Sequence, residues 1–385
     1  MPFFVRAKKI LLVLLFLLLA LVYFASHFLA DWYWFAEVGY RQVLLTRLLA
    51  DGGLRLGTIV FFFLFFYLNL LLASRNLHST PVAVHDNLSL RQYLIDRFVN
   101  RKRMGILFFL LSLIGALIFS PLAADKWLIV QQYLNATPFG LEDPLFGRDL
   151  SFFIFTLPFY RFIFNVLLAA MIGAALLVTS LYLLFNPHEL LCFRHGRFAR
   201  PQIHFCTLVA LFFLVQAWGF RLHAFELVHS PQGIIFGATY TDIHALLPGY
   251  NILAIAAVVC ALIVLVTAFR RNLKLVSGGI IALLGAYVLL IIIVPFAMQK
   301  FFVDPNEFVR EEPYLRYNID YTRLAYGLDK IEVHDFPASD TLTAADLAEE
   351  AVTLENIRLW DYRPLLETYS QLQEIRPYYR FNDID

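Results

Sequence analysis

The sequence is 385 residues long, 60% hydrophobic and 16% charged, whereas a soluble domain is about half apolar and a quarter charged. Its net charge of +1 hides a division: residues 1–298 carry 22 Lys/Arg against 12 Asp/Glu, and residues 299–385 carry 9 against 18. An apolar, basic part is thus followed by an acidic one, which excludes an ordinary soluble fold and, for want of a basic footprint, a nucleic-acid partner.

The chain opens with Arg6, Lys8 and Lys9 and then an apolar block over residues 10–30. That block is longer than the 7–15 residues of a cleaved signal sequence, so it reads as an uncleaved first span. Six more blocks of comparable length follow, at residues 54–73, 104–124, 162–185, 203–220, 252–269 and 275–296. None alternates with period 2, so each is predicted to cross as a helix that satisfies its own backbone. The predicted fold class is a polytopic α-helical membrane protein of about seven transmembrane helices (residues 1–298), followed by a small, incomplete extracytoplasmic α/β segment (residues 299–385).

Between the blocks, residues 40–49 and 127–134 have the make-up of helices lying in the membrane interface. Residues 152–159 are apolar but short and end at Pro158, which suggests a re-entrant or interfacial piece. In the acidic part, Thr341 or Thr343 can cap a helix reaching residue 350, and residues 365–375 read as a second helix. Residues 356–360 and 378–381 read as strands.

Lys and Arg set the orientation. With the N-terminus in the cytoplasm, the inner segments carry 15 of them and the outer loops 7. The C-terminal segment then lies outside the cytoplasm, and the expected location is a bacterial plasma membrane. Cys206 and Cys260 fall inside apolar blocks and Cys192 lies in an inner loop, so no disulfide framework or zinc site is expected.

No Asp, Glu, Lys or Arg lies deep in any block, and the polar residues that stand out within the spans are Asn69, His204 and Gln216. Asn69 and Gln216 read as interhelical hydrogen-bonding groups. The outer loops are richer. Asp31, Glu37 and Asp51 follow the first span, and Asp31, Glu37, Asp242 and His244 are the candidate catalytic residues. Lipid-linked sugar transferases with many spans similarly keep an acid just outside their first span. Asp383 and Asp385 have the spacing of a metal-binding acid pair. Glu226, His229, Asp242 and His244 are the candidate ligands of a divalent metal. His223, Glu226 and His229, at i, i+3 and i+6, fan too widely on a helix to meet one ion easily, and the pattern is not that of a zinc protease. No cofactor is implied.

Several strings together resemble one family. They are Trp34-Phe-Ala-Glu-Val-Gly-Tyr40, Asp143-Pro-Leu-Phe-Gly-Arg-Asp149, Phe155-Thr-Leu-Pro-Phe-Tyr160 and Gly237-Ala-Thr-Tyr-Thr-Asp-Ile-His-Ala-Leu-Leu-Pro248. Thr322-Arg-Leu-Ala-Tyr-Gly-Leu328, Asn356-Ile-Arg-Leu-Trp-Asp361 and Gln371-Leu-Gln-Glu-Ile-Arg376 complete the set. They are similar to the bacterial membrane proteins grouped as uncharacterised protein family 0182. The resemblance covers essentially the whole chain. It implies N-terminal spans followed by a large extracytoplasmic region, so that several hundred more residues are expected beyond Asp385. It carries no activity to transfer.

Three readings of function follow. The leading one is a plasma-membrane protein that presents an extracytoplasmic region to an envelope protein or lipid partner. The second is a membrane enzyme acting on a lipid-linked substrate at the outer face, and the third is a transporter, which the uncharged spans disfavour. Clustering of Asp31, Glu37 and Asp51 with residues 221–249 around one cavity favours the enzyme, and dispersal favours the binding reading.

Overall fold

The computed structural model describes residues 2–77, 101–185, 200–233, 236–270, 273–336, 341–358, 361–373 and 380–383. Seven of the described helical runs are long and apolar enough to cross a membrane, in agreement with the seven apolar blocks. The chain divides into two compact units, Met1–Thr322 and Arg323–Asp385.

The first unit contains α1 (Pro2–Glu37), α2 (Arg41–Leu77), α3 (Arg101–Phe119), the short α4 (Trp127–Leu134), α5 (Leu157–Phe185), α6 (Arg200–Glu226) and α7 (Leu247–Arg270). The last apolar run is built from α8 (Leu273–Tyr287), α9 (Val294–Met298) and α10 (Glu307–Ala325). Packing runs in a row: α3 against α2, α2 against α5, α5 against α6, α6 against α7 and α7 against α8. The first and last apolar runs keep most of their apolar surface exposed. In a bilayer that surface meets lipid at no hydrophobic cost, so van der Waals fit must hold the row together.

The fit rests on small residues. Ala170, Ala174 and Val178 line one face of α5 with no exposed surface, and Phe62, Phe66 and Leu70 of α2 pack against them. Phe66 is wedged between helices: a Cβ added at Gly173 would lie 2.7 Å from its ring, and one at Gly115 would lie 3.0 Å away. A second seam joins Cys206, Ala210 and Phe213 of α6 to Cys260, Ala261 and Val264 of α7 and Val276 of α8. Both described cysteines are buried free thiols there. Cys192 lies outside the described residues.

Four π-helical turns interrupt the runs, at Phe152–Thr156, Asp242–Leu246, Val288–Ile293 and Gln299–Val303. Each is followed two residues later by a proline: Pro158, Pro248, Pro295 and Pro305. Proline lacks an N–H and its ring presses on the carbonyl four residues back. A wider turn just before it absorbs both defects without ending the helix. This corrects two expectations. Residues 152–159 are no separate re-entrant piece, because they run directly into α5. Asp242 and His244, expected in a loop, lie in the π-helical turn that leads into α7. Residues 41–49, expected as a separate interfacial helix, form the start of α2 in one run with the second apolar block.

In the second unit, α11 (Ala344–Glu349), α12 (Ala351–Glu355) and α13 (Tyr362–Gln373) are all short. Thr343 caps α11 as expected. Its Oγ1 accepts from the Asp346 N–H at 3.3 Å, and Asp346 Oδ2 accepts from the Thr343 N–H at 2.9 Å. The Thr343 N–H and, next to it, the Thr343 hydroxyl donate to Asp346 Oδ2 and hold the Asp346 carboxyl below its usual pKa. The α/β expectation is not supported, since no strand occurs among the described residues. Asn356–Arg358 and Arg380–Phe381 are irregular, and residues 359–360 and 374–379 lie outside the described set. β-Rich side chains favour a strand only where a neighbouring strand supplies pairing and cover, and no such neighbour is present among the described residues.

Candidate functional site

Many hydrogen-bonded polar side chains of the first unit lie on α5, α6, α7 and α10 and in the segments 135–151, 227–233 and 236–241. The first of these segments is shaped by two aspartates. Asp143 Oδ2 accepts from the Leu145 and Phe146 N–H groups at 3.0 and 2.8 Å. Asp149 accepts from the Phe139, Gly140 and Ser151 N–H groups at 3.1, 2.8 and 2.8 Å. Bonds from Ser151 above all, with those from Phe139 and Gly140, lower the Asp149 pKa to about 2. Gly140 and Gly147 take φ of +71° and +59°, conformations that a side chain disfavours. The Asp143–Asp149 string is therefore a folding device in which the carboxylates replace missing backbone partners.

Next to it, α5 and α6 are clamped by charge. Arg161 donates through Nε to Glu226 Oε1 at 2.5 Å and through a terminal nitrogen to Glu226 Oε2. The same terminal nitrogen lies 3.1 Å from His223 Nδ1. The two-pronged geometry is the strong form of an arginine–carboxylate pair. His223 stacks on Tyr250 of α7, centroids 5.6 Å apart, and Arg221 donates to Asn251 Oδ1. Arg148 lies over the rings of Phe152 and Phe225, at 4.5 and 4.9 Å.

The start of the helical run into α7 is capped twice. Thr239 Oγ1 accepts from the Asp242 N–H at 3.2 Å, and Asp242 Oδ2 accepts from the Thr239 N–H at 3.0 Å. This is a capping box. Glu311, reaching over from α10, accepts from the Tyr240 N–H with both oxygens at 3.1 Å. A carboxylate is favoured there by the partial positive charge of a helix start. Thr241 donates to Gln299 Oε1 at 2.6 Å, and Asn318 donates to the Phe236 carbonyl at 3.2 Å. Asp242 is 1% exposed, and its Oδ1 has no hydrogen-bond partner.

Two cavities open beside this region. One of about 190 Å³ lies between Asp143–Leu145 and Tyr314, Tyr317 and Tyr321 of α10. The other, of about 600 Å³, has Thr239, Thr241, Gln299, Glu307 and Glu311 on its polar side and Ile291, Ile292, Pro295 and Phe296 on its apolar side.

The candidate residues from the sequence take separate places. Asp31 and Glu37 are exposed on α1. Asp51 is paired with Arg55 at 2.8 Å. None of these three lines either cavity. Glu226 is held by Arg161, and the His229 ring lies against Phe153 and Phe236. Asp242 is a cap. His244 is exposed, stacks on Tyr240 at 4.0 Å and bonds the Tyr240 carbonyl at 3.1 Å. Among the described residues no group of three or more His, Cys, Asp or Glu is placed to hold a metal ion. Asp385 lies outside the described residues. Sequence reasoning missed Arg161 and Glu311, each a charged residue beside a proline-interrupted helical run whose partner is far away in the chain.

Deeper in the bundle, Asn69 of α2 joins α5 and α6. His204 Nε2 lies 3.1 Å from Asn69 Oδ1, and the Tyr182 hydroxyl lies 3.0 Å from His204 Nδ1. Because the Asn69 oxygen only accepts, His204 carries its proton on Nε2 and accepts from Tyr182 at Nδ1. The interhelical role read for Asn69 is thus realised, with no charge needed.

Long apolar helices in a row, joined inside by neutral bonds and at one end by charged ones, make this a polytopic helical membrane protein in architecture. The chain belongs to the uncharacterised protein family UPF0182, which it matches over residues 8–385. It is 66% identical over 367 residues to a UPF0182 protein of Moorella thermoacetica, covering 95% of this chain and 40% of that one. It is 40% identical over 377 residues to a UPF0182 protein of Pelotomaculum thermopropionicum, covering 95% and 41%. It is 37% identical over 385 residues to one from Desulforamulus reducens, covering 96% and 41%. The chain therefore spans about two fifths of the length of the curated relatives it matches. No solved structure matches it.

Proposed function

We propose that this chain is the multi-pass part of a bacterial plasma-membrane protein that presents the end of its bundle around residues 135–151 and 227–241 outside the cytoplasm, to an envelope protein or lipid partner. The observation that carries this reading is the dispersal of the acids that the sequence offered as catalytic or metal-binding candidates. Asp31, Glu37 and Asp51 stand apart from the cavities, while Asp143, Asp149, Glu226, Asp242 and Glu311 are engaged in holding backbone or helices. A membrane enzyme acting on a lipid-linked substrate needs carboxylates that converge and stay free for a metal or a proton. A coupled transporter needs ionisable groups within its spans, and the network at Asn69, His204 and Tyr182 is neutral glue. The Lys/Arg bias of 15 to 7 supports the orientation.

The test is a reporter active only outside the cytoplasm, fused after Lys330 and, separately, after Arg75. Activity after Lys330 and none after Arg75 is expected. The reverse pattern in stable fusions overturns the orientation. Photo-crosslinking residues at Phe236 and Tyr317 are then expected to give a discrete adduct in cells that Ile106, exposed near the start of α3 and on the cytoplasmic side in this orientation, does not give. Identical adducts from all three positions would remove the binding reading.

A further inference from the structure

The cavity of about 600 Å³ has a size typical of small-molecule sites. Its two walls differ in chemistry. One is apolar and belongs to the last apolar run, through Ile291, Ile292, Pro295 and Phe296. That wall continues into an exposed apolar face at Val288, Leu289, Ile292, Ile293 and Phe296, which in a bilayer is open to lipid chains. The other wall carries Glu307 and Glu311, and among the described residues no Lys, Arg or His lines the cavity. Among the described residues neither glutamate forms an ion pair. The nearby cations are engaged elsewhere: Lys300 pairs with Asp304 at 3.6 Å, and the Arg310 guanidinium lies 5.3 Å from the Tyr240 ring centroid. A negative polar wall facing an apolar one that opens sideways to lipid complements an amphiphile with a cationic head.

We propose that this cavity is a lipid site, taking a membrane lipid whose headgroup carries an ammonium, with the ammonium against Glu307 and Glu311 and an acyl chain along Ile292 and Phe296. The site deepens the binding function proposed above and rests on the last apolar run crossing the membrane. Glu311 also holds the Tyr240 N–H, so Glu307 is the cleaner handle and E311Q, which keeps an acceptor oxygen, is the milder change at the second position.

The experiment is native mass spectrometry of the full chain in detergent, with phosphatidylethanolamine and phosphatidylglycerol added in equal amounts. The ethanolamine lipid is expected to be retained in preference. E307Q should weaken its retention about twofold to fivefold, the range of an exposed charge pair, and E307K should abolish the preference. F296S should also weaken retention, through the loss of the apolar wall. Thermal midpoints of the variants, measured in parallel, show that each is folded. Equal retention of both lipids, a preference for phosphatidylglycerol, or a preference untouched by E307Q and E307K overturns the proposal. Competition by water-soluble glycerophosphoethanolamine as strong as that by the intact lipid also overturns it, since the apolar wall would then contribute nothing. The reporter fusions give the orientation independently, so a failed lipid preference in a correctly oriented chain counts against this site alone.

Discussion

Removing the clamp between α5 and α6 tests the charged end of the bundle most directly. Arg161 and Glu226 keep 21% and 34% of their side-chain exposure, so the pair is neither fully wet nor dry. A fully exposed pair contributes about 0–1 kcal/mol, and a hydrogen bond to a charged group contributes about 1.5–3 kcal/mol. The two-pronged contact at partial exposure falls between these, with an expected coupling of about 1–2 kcal/mol. Glu226→Gln turns an amide N–H₂ toward the Arg161 donors and leaves one acceptor for two prongs. Arg161→Gln removes the fork and leaves the carboxylate beside His223 alone. Each single change should destabilise by about 1–2 kcal/mol, and the double change by clearly less than their sum. Arg161→Lys should not rescue, because an ammonium cannot match both oxygens as the guanidinium does. The assay is reversible unfolding of the purified chain in mixed micelles, followed by tryptophan fluorescence, for the wild type and the variants of the cycle. Additivity of the two Gln changes to within about 0.3 kcal/mol would refute the clamp, whatever the size of the single effects.

Three other outcomes are expected. The Asp149 pKa is held at about 2, against an ordinary value of 3.8; its stabilisation is therefore complete above pH ~4 and is lost as pH falls through 2. The thermal midpoint difference between wild type and D149N should be constant at neutral pH and shrink between pH 4 and 2, and a pH-independent difference would count against the bonding described. A Cβ at Gly219 would lie 2.5 Å from the Phe164 ring, so G219A should cost about 1–3 kcal/mol from overpacking and F164L should restore part of it, with no rescue being the contrary result. Residues 323–385 contain no buried side chain among those described, so this segment expressed alone should show no cooperative thermal transition by circular dichroism.

The number of long apolar helices was legible because length and apolarity alone decide whether a segment can cross a bilayer. The Thr343 cap was equally legible, since a Thr followed three residues later by an acid has a local geometric meaning. The continuity of the helices was not. Pro158 read as an end, but a single π-helical turn before it lets the run continue, and whether that turn is tolerated depends on the packing around it. The strands expected at residues 356–360 and 378–381 are not supported among the described residues, for another reason. Their side chains suit a sheet, and a sheet needs a partner that local sequence does not specify.

The sequence by itself determined a membrane class, seven apolar helices and an acidic C-terminal part, because these follow from composition over stretches of about 20 residues. Only the tertiary structure decided what the polar residues do. Arg161 and Glu226 stand 65 positions apart, Tyr240 and Glu311 71, and Asn69 and His204 135. In the sequence Glu226 and Asp242 were free acids with the chemistry to hold a metal. Once the helices pack, Glu226 becomes a clamp and Asp242 a cap, because a carboxylate near an unpaired N–H or a guanidinium is held by that partner before any ligand arrives. Glu307, which no sequence pattern marked, instead lines the cavity with no ion-pair partner among the described residues.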